Sequence, residues 1–282
     1  MRFLAVGAFF AAAVAPALAI NLYSNRSADP NVAALNARAL AKSGAAAPAG
    51  GRWSEVQNDA GNASESNTVA GFGFTGTLSL ADDFTVTGPG WIIDTVQLFS
   101  YRTGGVGIPH TQYFVEIYSG GAPNAGGSVI FGDMTTNRFS SASATVNYEG
   151  GGSGNLFRVF NTVAPPPGTA PGTTRQIWNH TVNIGGLVLG PGTYWIRFKG
   201  GPAGGFYPST THEGMRGVAG ANALQENGGV WVNAVDAGNP GTAPDVAQDL
   251  PFILSGTIVP EPGTLIALGL GAAALAARRR RK

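Results

Sequence analysis

The chain of 282 residues contains no cysteine. That absence excludes disulfides, thiolate zinc sites and cysteine nucleophiles, and it leaves the redox compartment undetermined on this criterion. Charged residues are scarce at 12%, and there are only three histidines. A coiled coil, a helical bundle or a charge-rich disordered chain would carry more charge than this. What the sequence has instead is 43 glycines, 18 prolines and 44% hydrophobic residues, the composition of short apolar segments cut by turns. The length is enough to bury a sizeable core without covalent staples.

The two ends read as targeting segments. Met1-Arg2-Phe3-Leu4 sets one positive charge ahead of an apolar stretch running to Val14, followed by Pro16 and the small-residue triplet Ala17-Leu18-Ala19. This order predicts a secretory signal peptide over residues 1–19, cleaved after Ala19. At the other end Val259-Pro260-Glu261-Pro262-Gly263-Thr264 leads into the apolar run Leu265 to Ala277, then into Arg278-Arg279-Arg280-Arg281-Lys282. As a helix the stretch from Gly263 to Ala277 would reach roughly 22 Å, a marginal transmembrane helix against the ~30 Å hydrocarbon layer. Clustered Lys and Arg stay on the cytoplasmic side, so the body of the chain is expected outside the inner membrane. Pro260 and Pro262 keep the connecting segment extended.

The ordered elements Pro260-Glu261-Pro262, the Leu265 to Ala277 run and Arg278 to Arg281 closely resemble the PEP-CTERM sorting signal of exported bacterial proteins. The resemblance covers residues 259–282. It implies a membrane-embedded exosortase as partner, transient residence in the inner membrane, removal of the tail, and a final place on the cell surface or in the extracellular matrix.

Charge changes meaning once these ends are set aside. Without Arg2 and the five terminal cations, Lys and Arg fall from 17 to 11 against 16 Asp and Glu. The body is mildly acidic, and the clustered basic face of a nucleic-acid binder is not supported.

Residues 20–51 are Ala-rich. Asp29 can cap, Pro30 suits a first helical position, and Val32, Leu35, Ala39 and Leu40 make a narrow apolar stripe, so one peripheral helix is expected there, followed by a flexible linker over 45–51. From 52 to 258 the pattern changes to short strands rich in Val, Ile, Thr and aromatics: residues 80–86, 91–101, 112–118, 128–131, 139–148, 156–162, 176–184, 192–199, 229–235 and 250–258. Alternation in Tyr113-Phe114-Val115-Glu116-Ile117 and in Tyr194-Trp195-Ile196-Arg197-Phe198 is that of a sheet with one buried face. The fold class expected is all-β, an antiparallel β-sandwich of jelly-roll type, with a partly closed barrel as the alternative. The segments Leu80-Ala81-Asp82-Asp83-Phe84, Trp91 to Val96, Leu189 to Trp195 and Asp249 to Gly256 resemble the strand pattern of secreted β-sandwich proteins that bear this tail. That resemblance brings no catalytic residues with it.

No compact catalytic constellation is legible. His110, His180 and His212 stand far apart and form no HExxH-like frame, and there is no Gly-x-Ser-x-Gly turn. Asp82 and Asp83, adjacent on a strand, point to opposite faces and cannot readily form a glycosidase couple; one is expected to bind backbone donors of the preceding turn. Structural calcium is the only cofactor to consider, with Asp59, Asn62, Asp236 and Asp245 on loops as oxygen ligands, although turn chemistry explains the same residues. The sharpest binding hypothesis is a row on the polar face of one strand, Trp195, Arg197 and Lys199, where an indole beside cations could stack on a sugar; Trp231 and Trp178 share the same ambiguity between core and surface. The function expected is a non-catalytic structural or carbohydrate-binding protein of the surface or exopolysaccharide matrix. The alternative is a secreted polysaccharide hydrolase using Asp82, Asp94, His212 and Glu213.

Overall fold

A computed structural model describes residues 18–41, 44–48, 50–54, 71–144, 148, 154–159, 172–202, 213–236 and 245–261, together with 271, 273 and 275–279. The predicted signal peptide, apart from Leu18 and Ala19, and most of the C-terminal apolar run lie outside these residues. Residues 271, 273 and 275–279 are helical, and among the described residues no helix is long and apolar enough to cross a membrane.

The described chain is all-β. In order the strands are β1 (Ile20–Ser24), β2 (Arg52–Trp53), β3 (Leu78–Val86), β4 (Trp91–Tyr101), β5 (Gln112–Ser119), β6 (Ser128–Asp133), β7 (Phe139–Ser143), β8 (Leu156–Phe157), β9 (Ile177–Leu189), β10 (Gly192–Gly201), β11 (Leu224–Asn227), β12 (Val230–Asn233), β13 (Val235–Asp236), β14 (Val246–Ala247) and β15 (Phe252–Ile258). Two large antiparallel sheets hold most of them: a five-stranded sheet in the order β1-β15-β4-β9-β7 and a six-stranded sheet in the order β12-β11-β3-β10-β5-β6.

Alternation decides which side chains meet between the sheets. From β10, Ile196 and Phe198 are buried in the main cluster with Tyr194 packed against it; β5 adds Tyr113, Val115 and Ile117, and β3 adds Leu80, Phe84 and Val86. The other sheet supplies Trp91, Ile93, Val96 and Leu98 from β4, Val182, Ile184 and Leu189 from β9, and Phe252 and Leu254 from β15. Bulges interrupt the alternation without losing the pairing. β4 shifts register against β9 between Ile93 and Thr95, where Gly185 and Gly186 take φ of 74° and 84°, a left-handed backbone that costs glycine little. Gly256 marks the shift between β15 and β4, and a Cβ there would lie 2.0 Å from the Ile92 carbonyl oxygen.

The Ala-rich segment departs from its expected structure. Residues 29–41 contain no helix; they run as turns and isolated bridges, Leu35 with Tyr148, Arg38 with Trp53, and Leu40 with Ala46. The Asp29 carboxylate accepts the Asn31 N–H at 2.9 Å, a local Asx turn that competes with helix initiation. The physical reason is burial. A helix with so thin a stripe would hide little, whereas the extended chain places Ala34 and Leu35 against Phe99, Tyr101, Tyr148, Ile177 and Ile253 on the outside of the five-stranded sheet. Among the described residues of 20–51 there is no helix. The segment opens with β1, paired to β15, and Leu22 joins the main core.

Candidate functional site

The residues of β10 that point away from the core are Trp195, Arg197 and Lys199, and register fixes their neighbours. Trp195 lies opposite Asp83 of β3 and Tyr118 of β5, and Arg197 opposite Ala81 and Glu116. Lys199 lies opposite Phe114. Beyond β3, Leu224 pairs with Ala81 and Glu226 with Ser79, and Trp231 of β12 pairs with Glu226. Strand alternation thus gathers side chains from five strands onto one outer sheet face.

Arg197 is the hub of that face. Its Nε donates to Ser79 Oγ at 2.9 Å, one Nη to Glu116 Oε2 at 3.0 Å, and the other to Glu226. Ser79 Oγ donates to Glu226 Oε2 at 2.6 Å and Tyr118 Oη to Glu116 Oε2 at 2.7 Å. The guanidinium also lies over the Trp231 ring at 5.4 Å from its centroid, and the Lys199 ammonium over Phe114 at 5.2 Å. Trp195 and Trp231, both half-buried, pack against a small cluster of Ala81, Ala122 and Leu224.

The electrostatics follow from these contacts. Burial opposes the Arg197 charge, but Tyr118, Glu226 and Glu116 more than offset it and hold its pKa above the ordinary value. For Glu226 burial is likewise outweighed, by Ser79 and Arg197, and its pKa falls. Burial and the Glu116 carboxylate push Tyr118 up to about 12. At neutral pH Glu226 is thus a fixed anion and Tyr118 a neutral hydroxyl.

The carboxylates considered for hydrolysis stand on separate elements, Asp82 on β3, Asp94 on β4 and Glu213 outside both sheets. Asp82 is fully buried; its Oδ2 accepts from Leu250 N–H and Asn25 Nδ2, both at 2.7 Å. Its Oδ1 accepts the Asp83 N–H at 2.9 Å, so the donors are a chain neighbour and two distant segments and not the preceding turn. Burial and then Asp249 push its pKa well above the carboxylate range. Asp83 is half-buried, as is Asp94. Glu213 opens a single 3-10 turn, and His212 lies outside the described residues.

The other two histidines meet in the interior. His110 and His180, both buried, bring their rings to 6.1 Å. Tyr113 stands 4.9 Å from His180, and Ser100 Oγ lies 3.5 Å from His180 Nδ1. Burial, then the neighbouring His110, depresses the His180 pKa to about 3, so it is neutral in the core. Spacing in sequence carried no sign of this pairing, which needs β4, β5 and β9 stacked.

Of the oxygen ligands considered for calcium, Asp59 and Asn62 lie outside the described residues, and Asp245 is exposed. Asp236 is buried, with Arg216 Nε 3.5 Å from its carboxylate. Among the described residues no group of three or more His, Cys, Asp or Glu could hold a metal ion. Trp178 donates its indole N–H to the Val106 carbonyl at 3.0 Å.

Residues 259–281 match the family model of the PEP-CTERM protein-sorting motif. The motif implies an exported protein that exosortase sorts. No curated protein and no solved structure matches the chain.

Proposed function

We propose that this exported, exosortase-sorted chain is a non-catalytic jelly-roll sandwich of the cell surface or extracellular matrix, and that it binds polysaccharide on the outer face of its six-stranded sheet. The strand order supports the jelly roll. With β9 taken as an inserted strand and β11–β12 as an added hairpin, β1-β15-β4-β7 over β3-β10-β5-β6 interleaves early and late strands as paired Greek keys do. Export with cleavage after Ala19 is supported by the start of β1 at Ile20.

The observation that carries the binding reading is the Trp195 and Trp231 pair set around a fixed polar network. Arg197 is neutralised by Glu116 and Glu226, so the face offers aromatic planes and hydrogen-bonding groups with little excess charge. Such a surface suits a neutral sugar polymer, whose rings stack on indoles and whose hydroxyls meet carboxylate oxygens. The hydrolase alternative finds two glutamates on this face, yet both are tied to one arginine.

The test is an array of neutral and uronic-acid polysaccharides probed with the full chain. Retention on neutral glycans without release of reducing ends is expected. Preference for uronic-acid polymers, or reducing-end release, would overturn the reading. Mass spectrometry of the secreted protein tests sorting separately: both termini should be lost.

A further inference from the structure

We propose that one pole of the sandwich is built to rest against the lipid surface while the chain is held there by its sorting motif. β15 ends at Ile258, one residue before that motif begins. Val259 is still fastened to the pole, its N–H donating to the Gly90 carbonyl at 3.0 Å. β1 starts at the same pole, with Ile20 opposite Gly256. The β3–β4, β5–β6 and β9–β10 turns join them there, because Trp91 pairs with Leu189 and with Ile258, Val86 with Gly192, and Tyr194 with Ser119.

What these segments share is the absence of charge. Residues 85–92, 119–128, 185–193, 20–21 and 256–260 include no Asp, Glu, Lys or Arg; Asp94, beside Gly186, is set back along β4. Apolar side chains are exposed here instead, Val188 at 62%, Ile258 at 52% and Ile20 at 50%. Exposed apolar groups clustered at one place mark an interaction surface. The occupant follows from the chain itself. The residues from Val259 to Thr264 can span at most roughly 20 Å before the apolar run begins, so the pole cannot stand far from lipid. Contact would remove Val188, Ile258 and Ile20 from water; no ionised side chain of these segments is desolvated, and cleavage after Ala19 adds one charge there, the Ile20 α-ammonium. The inference rests on the sorting motif and is independent of glycan binding.

The lack of cysteine makes single-site labelling direct. The full chain is reconstituted in phosphatidylcholine vesicles with an environment-sensitive fluorophore on Val188→Cys or on Val106→Cys. Val106 is also exposed, at 50%, but follows the far end of β4, roughly 35 Å away. Nitroxide lipid is expected to quench the label at 188 several-fold more than that at 106, with little effect of added salt. Equal quenching at both positions, or none at either, would overturn the proposal. A label at the exposed Thr87, also at this pole, should lose its quenching in a Val188→Asp background whose circular dichroism is unchanged; quenching that survives counts against it. Failure in vesicles with cross-linking of position 188 to exosortase in cells would assign the surface to the protease and not to lipid.

Discussion

The five-stranded and six-stranded sheets share one core, yet their outer faces are treated in opposite ways. On the five-stranded sheet Phe99 and Tyr101 point outward and are buried under Ala34, Leu35, Tyr148 and Leu156, with Trp53, Phe157, Ala41 and Val159 in a further cluster. On the six-stranded sheet Trp195, Arg197, Lys199, Glu116, Glu226 and Trp231 stay partly exposed over buried Ser79, Ala81, Tyr118 and Leu224, and Arg197, Glu116 and Glu226 bind one another. The first face is closed by apolar burial. The second is covered only in part, by polar groups that satisfy each other and by two half-buried indoles.

The largest effect expected is on the covered face. Phe99→Ala should cost about 3–5 kcal/mol and Leu35→Ala about 2–5 kcal/mol, as for buried side chains elsewhere, read as lower midpoints in urea unfolding. A loss below about 1 kcal/mol would show that the Ala-rich segment is not part of the cooperative core.

Acid should break both faces together through the core they share. The folded pKa of His180, about 3, lies below the unfolded value near 6.5. Its contribution is therefore complete above pH ~6.5 and is lost, by at most about 1.4 kcal/mol per pH unit, as pH falls toward ~3. Asp82 acts in the opposite sense, because its raised pKa makes its contribution complete below ~3.8 and lost as pH rises through the folded value. Comparison of His180→Gln with the parent isolates the first effect: the variant should show a flatter stability profile between pH ~6.5 and ~3. Identical profiles would contradict the neutral buried imidazole.

On the open face Arg197→Met should cost about 1–3 kcal/mol, less than a fully buried pair would because water screens its partners. Glu116→Gln with Glu226→Gln should recover part of that loss, by a double-mutant analysis of urea unfolding. Additive costs would mean that the three side chains do not act as a unit. The smallest stability effect expected is for Trp195→Ala, about 1 kcal/mol, since its ring is already partly solvated.

Strand patterning was the legible part of the fold. Alternation put Ile196 and Phe198 inward and Trp195, Arg197 and Lys199 outward, and the sheet follows that division. β1 and β11 escaped notice because each is short, and Ile20–Ser24 adjoins a stretch whose alanines suggested a helix. Asp29 could cap a helix, but tertiary burial of Leu35 over Phe99 decided otherwise. The sorting motif was readable because its three elements are contiguous. The partners of Arg197 were not, since Ser79, Glu116 and Glu226 come from three strands that only the fold makes neighbours. The alternating charges at Glu116, Arg197 and Lys199 were the local signal that this face is polar.

The most direct test of the open face as a ligand surface is the affinity of the full chain for a neutral polysaccharide, compared between the parent and Trp195→Ala. At least a tenfold weakening, about 1.4 kcal/mol, is expected, with the urea midpoint lowered only by the roughly 1 kcal/mol that truncation of a half-buried ring costs. Equal affinity in the two proteins, or no binding by the parent, would contradict it.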